Sequence, residues 1–561
     1  MAAKRKVKPK PPSSLTMRLH APGMTILHRA GLGGLACTLR YIERAFAMGA
    51  LLDDELPGTW SDTGEPPWTI TPHEITLNFG TPENAGEYLK RLFALGLTVK
   101  DGLIYLPGQY HQEPSLAVRA ELQNGLTLTF LQHGRVRNLA KQETVLQVDP
   151  VGDGSSFVTV TFKRCESFKH QEGWAELVDK HGKLNTKPIE VIGPLNPGAV
   201  VRHVAFNTPT RIVAAVDNVL PLYFAIVGAI ALPVNRGVGT LIVPDVVDLE
   251  EFTIDRPLLT PVSVKECRVA ERSDAVMQAK VRLRKRGALS DTSIPAFLAS
   301  IFKPTAWASQ QKSRTWTQQS SQDDSTKRYE VEGSSRGAQR LDQFAVALAL
   351  LPPPVHLKTE TIKVGKGRRK ETKQRTVAFW TDSVIRPLIA DNLANDRHWY
   401  HDFTSLMRDS DINGNPYRHR LFSEREALGT MTETIEFDYP REHMLVRAVH
   451  KAIAMRLARI KADTQGEANA PPTQATKNRW NRFREELRLS LVGAKTKDQC
   501  RSAICELFGR AGTSDVLQES WQEILPLLVN PHEWQKARDL ALLALASQKK
   551  VTSNFEIALE E

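Results

Sequence analysis

Hydrophobic residues in this chain follow different periods before and after Ser383. From Met17 to about Ser290, short apolar or alternating runs separated by Gly, Pro and Asn are typical of strands. These runs lie at residues 126–131, 157–162, 200–206, 211–216 and 239–243. Residues 35–46 are the exception, because their apolar positions recur at helical spacing.

After Ser383 the apolar residues recur at the three- to four-residue spacing of amphipathic helices. The predicted helices lie at residues 384–395, 441–461, 476–491, 498–508, 515–528 and 531–548. Asn530 and Pro531 suit a helix start, and Gly509 predicts a helix stop. The sequence therefore predicts an α+β fold, with a mixed α/β N-terminal domain followed by a C-terminal helical bundle.

Four regions follow from the composition along the chain. Residues 1–16 form a basic tail that we expect to be disordered. Residues 17–307 form the mixed α/β domain. Residues 308–382 combine a loop rich in Ser, Gln and Thr, which we expect to be mobile, with a basic β-hairpin. Residues 383–561 form the helical bundle.

The overall charge does not identify a partner by itself. The chain has 74 Lys and Arg against 63 Asp and Glu, which gives 74 − 63 = +11. This excess is moderate, so any nucleic-acid role must come from local clusters. The apolar fraction of 41% excludes a wholly disordered chain.

The location of the protein is predicted from its apolar run and its cysteines. Residues 219–234 are apolar but shorter than the ~20 residues of a membrane-spanning helix, so we expect a buried strand or a short core helix. The five cysteines are scattered and form no Cys-x-x-Cys pair. This argues against a zinc ribbon or a disulfide framework and for a reducing, cytoplasmic setting.

A glycine motif lies near the N-terminus. The spacing Gly31-x-Gly33-x-x-Ala36 imitates a dinucleotide-binding turn, but no strand precedes the acidic residues that follow it. We expect the glycines instead to allow a tight strand-to-helix turn with close backbone packing. A helix start beside His28 and Arg29 could equally hold a nucleic-acid phosphate.

An enzymatic interpretation has little support in the motifs. His398, His401 and Asp402 suggest, as an alternative, a metal-dependent nuclease. Such a site needs further ligands that converge in space. The chain contains no Gly-x-Ser-x-Gly, P-loop or His-Glu-x-x-His motif. We therefore expect no catalytic residues, no metal and no cofactor.

Basic residues cluster in four runs. In residues 276–286 cationic and apolar residues alternate, which predicts a strand with one cationic face. Residues 357–364 and 372–380 predict a hairpin with a cationic tip, and residues 441–461 and 476–491 predict basic helices, the second carrying interleaved aromatics. Four such runs favour phosphate contacts that are insensitive to base sequence but sensitive to salt.

Loop Asn and Arg residues are better suited to base edges. The residues that we predict to contact DNA or RNA, in loops and basic runs together, are His28, Arg29, Asn124, Asn235, Arg236, Lys280, Arg282, Arg284, Lys285, Arg286, Lys366, Arg368, Arg369, Lys370, Arg447, Lys451, Arg456, Arg479 and Arg482.

Three stretches resemble a known family. Residues 21–40, APGMTILHRAGLGGLACTLR, look like the start of a CRISPR-associated large subunit of the type I-A/I-B group found in myxobacteria and cyanobacteria. Residues 384–403 are similar to that family's signature through Arg386 and Trp399-Tyr400. The segment 306–314 also fits. The resemblance spans residues 17 to about 550.

The resemblance implies a role in a Cascade surveillance complex. The N-terminal domain would sense the protospacer-adjacent motif in double-stranded target DNA and contact the 5′ end of the guide CRISPR RNA. The helical bundle, similar to a small subunit from about residue 440, would steady the R-loop. Implied protein partners are the backbone, guide-end-capping and small subunits. A recruited helicase–nuclease, or a transposition adaptor in transposon-associated systems, would act afterwards. The remaining alternative is a nonspecific nucleic-acid-binding scaffold.

Overall fold

The chain separates into two compact units in the computed structural model. The N-terminal unit comprises Met1–Ala338 and Val355–Thr381, and the helical unit comprises Gln339–Pro354 and Asp382–Glu561. The architecture is α+β, as the sequence predicts, with sheets and helices in the first unit and a helical bundle in the second. The structure describes residues 12–548 except 61–63, 133, 150–156, 198–211, 235–236, 285–286, 288–291, 307–313, 319–325, 332–333, 352–354, 365–370, 381–382, 411–413, 422, 466–470 and 513.

The N-terminal unit alternates strands and helices. Its strands are β1 (Ser14–Arg18), β2 (Trp68–Ile70), β3 (Glu74–Asn78), β4 (Thr98–Lys100), β5 (Leu103–Tyr105), β6 (Arg137–Val148), β7 (Val158–Phe168), β8 (Ile189–Glu190), β9 (Val213–Ala214), β10 (Ile230–Val234), β11 (Val238–Pro244), β12 (Ala296–Ala306), β13 (Arg314–Gln318), β14 (Thr326–Glu330), β15 (Val355–Val364) and β16 (Glu371–Trp380). Its helices are α1 (Ile26–Ala47), α2 (Ala85–Gly96), α3 (Leu116–Leu128), α4 (Trp174–Leu177), α5 (Val216–Gly228), α6 (Leu249–Leu258), α7 (Val264–Cys267) and α8 (Arg272–Arg284).

Three larger sheets organise these strands. One has the order β1-β3-β2, and a second has the order β10-β11-β12-β13 with β14 pairing to another part of β12. The third has the order β15-β16-β7-β6. The predicted hairpin is confirmed as the pair β15–β16, which runs in register from Val355 opposite Trp380 to Val364 opposite Glu371. It joins the unit's own sheet, because β16 pairs in parallel with β7.

Helices α1 and α5 pack against each other at very short range. A Cβ atom added to Gly31 would lie 2.0 Å from the carbonyl oxygen of Pro221, and one added to Gly34 would lie 2.2 Å from that of Phe224. The glycines therefore permit close backbone packing, as predicted. The predicted strand-to-helix turn is wrong, because these residues lie inside α1, which begins at Ile26.

The long apolar run divides between two elements. Residues 219–234 form most of α5 and then β10, and nearly all of α5 is buried. The run therefore forms both a core helix and a core strand, whereas we predicted either a buried strand or a short core helix. Within the described part of the chain, no helix is both long enough and apolar enough to span a membrane.

Strand predictions with a clear alternation are confirmed in two places. Residues 157–162 lie in β7 and residues 239–243 in β11. Residues 35–46 lie in α1, as their helical spacing predicts. Residues 211–216 contain only the short β9 before α5 begins, and residues 200–206 lie outside the described residues.

Two predicted strands are helical. Residues 126–131 fall at the end of α3, a helix whose start is capped by the Ser115 Oγ, which accepts a hydrogen bond from the Val118 amide at 3.4 Å. Residues 276–286 overlap α8, which begins at Arg272 and packs against β11 and β12. A short alternation of apolar and polar residues is compatible with both a strand and a helix. At both places, packing against neighbouring elements favours the helix.

Two predicted boundary segments contain regular structure. Residues 14–16 belong to β1, where Leu15 and Met17 are buried, so the prediction of a disordered tail is wrong for these residues. Residues 1–11 lie outside the described residues. The loop predicted at residues 308–337 contains β13 and β14, both paired with β12. Both strands can pair with β12 because each occupies a different part of the length of β12.

The described part of the helical unit is built from one helix before the β15–β16 hairpin and a series of helices after it. They are α9 (Ser335–Leu350, which begins in the N-terminal unit), α10 (Arg386–Ala394), α11 (Phe403–Arg408), α12 (Tyr417–Leu421), α13 (Arg425–Thr434), α14 (Pro440–Gln465), α15 (Gln474–Gly493), α16 (Lys497–Ala511), α17 (Asp515–Val529) and α18 (Trp534–Ser547).

Helix α14 is the central element of the bundle. It packs against α15, α16, α17 and α18, and Leu445, Val449, Ile453 and Leu457 form its buried stripe at four-residue spacing. The six predicted helices are confirmed as α10 and α14–α18. Gly509, a predicted stop, instead lies inside α16.

Candidate nucleic-acid interface

The start of α1 holds two predicted contact residues. The His28 Nδ1 accepts a hydrogen bond from the Thr25 amide at 3.2 Å, so this imidazole caps its own helix. Burial lowers the pKa of His28, so the ring is neutral at pH 7. The Arg29 Nε donates to the Asp245 carboxylate at 2.9 Å, and Arg328 donates to the same carboxylate at 2.8 Å. A phosphate at this helix start would compete with Asp245.

The predicted cationic strand is instead the helix α8, and this separates its basic residues. Lys280 and Arg284 are one helical turn apart and share a face, whereas Arg282 points the opposite way. The Lys280 Nζ donates to the carbonyl oxygen of Glu330, and Arg284 donates to that of Ala338 at 3.3 Å. Arg282 is buried, and burial lowers the pKa of its guanidinium.

Eight of the predicted contact residues lie outside the described residues, and one lies in a different element from the one predicted. Lys285, Arg286, Asn235 and Arg236 lie outside the described residues. So do the hairpin-tip residues Lys366, Arg368, Arg369 and Lys370. Asn124 lies on α3 rather than in a loop, and its Nδ2 donates to the carbonyl oxygen of Thr161 at 3.1 Å.

The basic residues of α14 and α15 give an outward cationic surface. Arg447 and Arg479 are exposed, and the side chain of Arg482 is 82% accessible while pairing with Glu486 at 2.9 Å. Lys451 and Arg456 are partly buried. The structure therefore leaves Arg447, Arg479 and Arg482 as the accessible members of this set.

The aromatics interleaved with these cations face the core. Trp480 and Phe483 are buried, and the Trp480 Nε1 donates to the carbonyl oxygen of Leu457 at 2.9 Å. They are thus unavailable to stack on nucleic-acid bases. The surface is suited to phosphates, for which Lys and Arg charges suffice.

The residues of the nuclease alternative do not converge. The His398 Nδ1 lies 2.8 Å from the Asp438 carboxylate, which Arg340 also binds with two hydrogen bonds of 2.7 Å. The Asp402 amide donates to Asp539 at 2.9 Å, and His401 is exposed. In the described ranges, no group of three or more His, Cys, Asp or Glu side chains could hold a metal ion.

The stretch that resembles the family signature forms core structure. Arg386 is buried, and its guanidinium donates to the carbonyl oxygen of Leu351 at 3.1 Å. Trp399 and Tyr400 are also buried, and the Asn392 Nδ2 donates to the carbonyl oxygen of Trp399 at 3.2 Å. These residues stabilise the helical unit and present no accessible site.

One set of basic residues is not among the predicted contacts. Arg418 on α12, Arg425 on α13, and Arg484 and Arg488 on α15 line a cavity of about 490 Å³. Arg418 and Arg425 fall outside the four basic runs, whereas Arg484 and Arg488 lie in the fourth run but are not among the predicted contacts. A signal for Arg484 is its position between Trp480 and Arg488 on the buried stripe of the helix.

Comparisons with known proteins agree with this two-part architecture. The chain matches the DevT N-terminal domain at residues 16–223 and the DevT C-terminal domain at residues 433–561. It is 34% identical to the CRISPR-associated protein Cas8a1/Csx13 of Myxococcus xanthus (strain DK1622), with 96% of this chain and 89% of that protein covered.

These matches define a CRISPR-associated protein that contains a DevT N-terminal domain and a DevT C-terminal domain. The chain belongs to the Cas8a1/Csx13 family of CRISPR-associated proteins. The predicted class, a CRISPR-associated large subunit, is confirmed at that level. The type I-B subtype and a link to transposition stay predictions.

Proposed function

We propose that this chain is the non-catalytic large subunit of an RNA-guided type I Cascade complex that acts in antiviral defence. It recognises the protospacer-adjacent motif in double-stranded DNA and promotes R-loop formation. The observation that carries the proposal is the similarity to Cas8a1/Csx13, which extends over nearly the whole of both chains. In such complexes base pairing with the guide reads the sequence, and the protein contributes the motif check and the charge.

The N-terminal unit is the proposed motif reader. It contains the match to the DevT N-terminal domain. Asn235 and Arg236, between β10 and β11, are the best candidates for base edges, since the Asn124 amide already binds Thr161. The sequence between β15 and β16, which lies outside the described residues, carries a run of cationic residues that suits phosphates of DNA or guide RNA.

The helical unit is the proposed support of the R-loop. Arg447, Arg479 and Arg482 lie on outward faces of α14 and α15. Because the aromatics of α15 are buried, these cations would hold the hybrid or the displaced strand through phosphates alone. Binding by this unit is therefore expected to depend strongly on salt.

The proposed partners follow from the same role. The chain would assemble with guide RNA, backbone subunits, a guide-end-capping subunit and small subunits in the cytoplasm. After target recognition it would recruit a helicase–nuclease, or a transposition adaptor if the system is transposon-associated.

A panel of duplexes tests the proposal. The complex assembled with its guide RNA is titrated against targets that differ only in the few base pairs beside the protospacer, and the dissociation constants are compared. We expect one motif class to bind at least tenfold more tightly than the rest, which corresponds to about 1.4 kcal/mol. Equal affinity for every flank would contradict motif recognition and favour a nonspecific scaffold.

The non-catalytic assignment has its own assay. The purified chain is incubated with duplex and single-stranded DNA in Mg²⁺ or Mn²⁺, with EDTA as the control. We expect intact DNA in every sample. Cleavage that EDTA abolishes and that His401→Ala removes would establish the nuclease alternative.

A further inference from the structure

Helix α1 ends in a turn, residues 48–56, that carries two strongly exposed apolar side chains. Met48 is 77% exposed and Leu52 is 67% exposed. Among the large apolar residues that the structure describes, only Val262, at 72%, is comparably exposed. Single exposed apolar residues are common on protein surfaces, but two of this degree within five residues indicate an interaction site. We call residues 48–56 the α1 turn.

Hydrogen bonds within the α1 turn give it an ordered backbone. The Ala50 amide donates to the carbonyl oxygen of Ala45 at 2.8 Å, which ties the turn to the last part of α1. The Leu52 amide donates to the Glu55 carboxylate at 2.8 Å. Leu56, at the other end of the turn, is buried. An element that is ordered before binding loses less conformational entropy when a partner covers it.

The α1 turn lies in an acidic part of a basic chain. Between Arg44 and Lys90 the sequence has eight Asp and Glu residues and no Lys or Arg, although the whole chain has a net charge of +11. Asp53 and Asp54 of the turn are exposed, and neither forms an ion pair with any residue that the structure describes. A surface of this sign repels nucleic-acid phosphates and anionic lipids, and it attracts a basic protein surface.

We propose that the α1 turn docks on a partner protein, with Met48 and Leu52 in an apolar cleft that is rimmed by basic residues. Burial of the two apolar side chains would supply binding free energy, and complementary charge would raise the association rate. The inference rests on the proposed function, because that function surrounds the chain with other subunits of the complex. Subunits that hold the guide RNA need basic surfaces for its phosphates, and such surfaces match the acidic turn.

The test measures binding of the full chain to the complex that lacks only this chain, by biolayer interferometry at several salt concentrations. Two double variants are compared with the native chain, namely Met48→Ser with Leu52→Ser and Asp53→Lys with Asp54→Lys. The matched control is Val262→Ser, which changes an equally exposed apolar residue of the same unit. All proteins are first compared by thermal unfolding without partners.

The expected result is specific to the α1 turn. The double serine variant should bind at least about tenfold more weakly, mainly through faster dissociation. The double lysine variant should associate roughly threefold more slowly at low salt, and this difference should shrink as salt rises. Val262→Ser should change affinity less than about twofold. All melting temperatures should match that of the native chain within about 2 °C, because the substituted side chains are exposed.

Four outcomes would overturn the inference. Native-like binding by the double serine variant would show that the turn does not dock. Tighter binding by the double lysine variant would place the turn against nucleic acid. A clear fall in the melting temperature of the double serine variant would assign Met48 and Leu52 to the fold. Binding of the native chain to phosphatidylcholine vesicles that the double serine variant loses, with complex binding unchanged, would assign the turn to a lipid surface.

The failure of this inference and that of the proposed function give different results. If the native chain does not bind the complex, both the proposed function and the docking of the α1 turn are wrong. If the native chain and the double serine variant bind the complex equally, the docking inference alone is wrong.

Discussion

Arg340 organises a buried ionic contact in the helical unit. Its guanidinium is buried, binds Asp438 through two hydrogen bonds and lies 3.3 Å from the Asp396 carboxylate. His398 approaches the other side of Asp438. Burial opposes ionisation of Asp438, but the hydrogen bonds from His398 and Arg340 lower its pKa well below the ordinary value of 3.8.

Removing the charge of Asp438 should destabilise the helical unit. Asp438→Asn leaves the buried Arg340 without its main counter-charge, which costs about 3 kcal/mol. Because the folded pKa of Asp438 is depressed, its contribution is present above the unfolded value and is lost as the pH falls through the folded value. The difference between native and Asp438→Asn in urea-unfolding midpoint should therefore be smaller near pH 3 than at pH 7.

Asp409→Asn is the matched control for this substitution. Asp409 pairs with Arg408 at 2.7 Å, but both side chains are largely exposed, so little stability depends on the pair. An equal loss of stability in the two variants, or a pH-independent loss in Asp438→Asn, would contradict the buried ionic contact.

The exposure or burial of a side chain could be predicted only where its helix or strand was predicted correctly. Arg479 and Arg482 are accessible as expected, since α15 was recognised as a helix. Arg282 is buried because the predicted strand is a helix, which turns this residue to the opposite face. The Arg29–Asp245 ion pair joins residues that are far apart in the chain, and no local sequence pattern predicts such a contact.

At the scale of elements, the contact between α1 and α5 depends on glycine. Gly34→Ala should force these helices apart and lower the stability of the N-terminal unit by roughly 1–3 kcal/mol, because the added Cβ would lie 2.2 Å from the carbonyl oxygen of Phe224. Thermal unfolding of the full chain measures this change.

Gly509→Ala is the control, and its expected change in stability has the opposite sign. Gly509 also lies in a helix, α16, but a Cβ there would meet nothing within 4 Å. This substitution should raise the stability of the helical unit by about 0.5 kcal/mol through helix propensity. If Gly34→Ala were as stable as Gly509→Ala, the close α1–α5 contact would be wrong.

The sequence predicted long periodic elements better than short ones. Helices α14–α18 extend over several turns, so their apolar stripes are unambiguous. Residues 126–131 and 276–286 offered only a few alternating positions, which a helix end or one helix face can also provide. Whether these segments form strands or helices depends on packing against strands that are distant in the chain, and a single sequence does not reveal such packing.

At the scale of the whole molecule, the bundle α14–α18 lies within the matched DevT C-terminal domain. The match to the DevT C-terminal domain begins at residue 433, just after Met431. Met444 and Met455 lie inside α14, so a start at either would truncate the central helix. An internal start that preserves the bundle would therefore use Met431.

Intact mass measurement of the purified complex tests this start site. If the gene also yields a small subunit, a fragment of about 15 kDa beginning at Met431 should accompany the full chain, a size that suits a small bundle. Met431→Leu should remove the fragment while leaving the full chain at its normal level. A complex with no such fragment would contradict a separate product.

Formation of the R-loop tests the central claim most directly. Permanganate reactivity of thymines in the displaced strand is measured on a target duplex, with the complete complex and with a complex that lacks only this chain. We expect strong reactivity with the complete complex, and little reactivity without the chain, because motif recognition and strand support are both lost. Equal reactivity in the two samples would contradict the role proposed for this subunit.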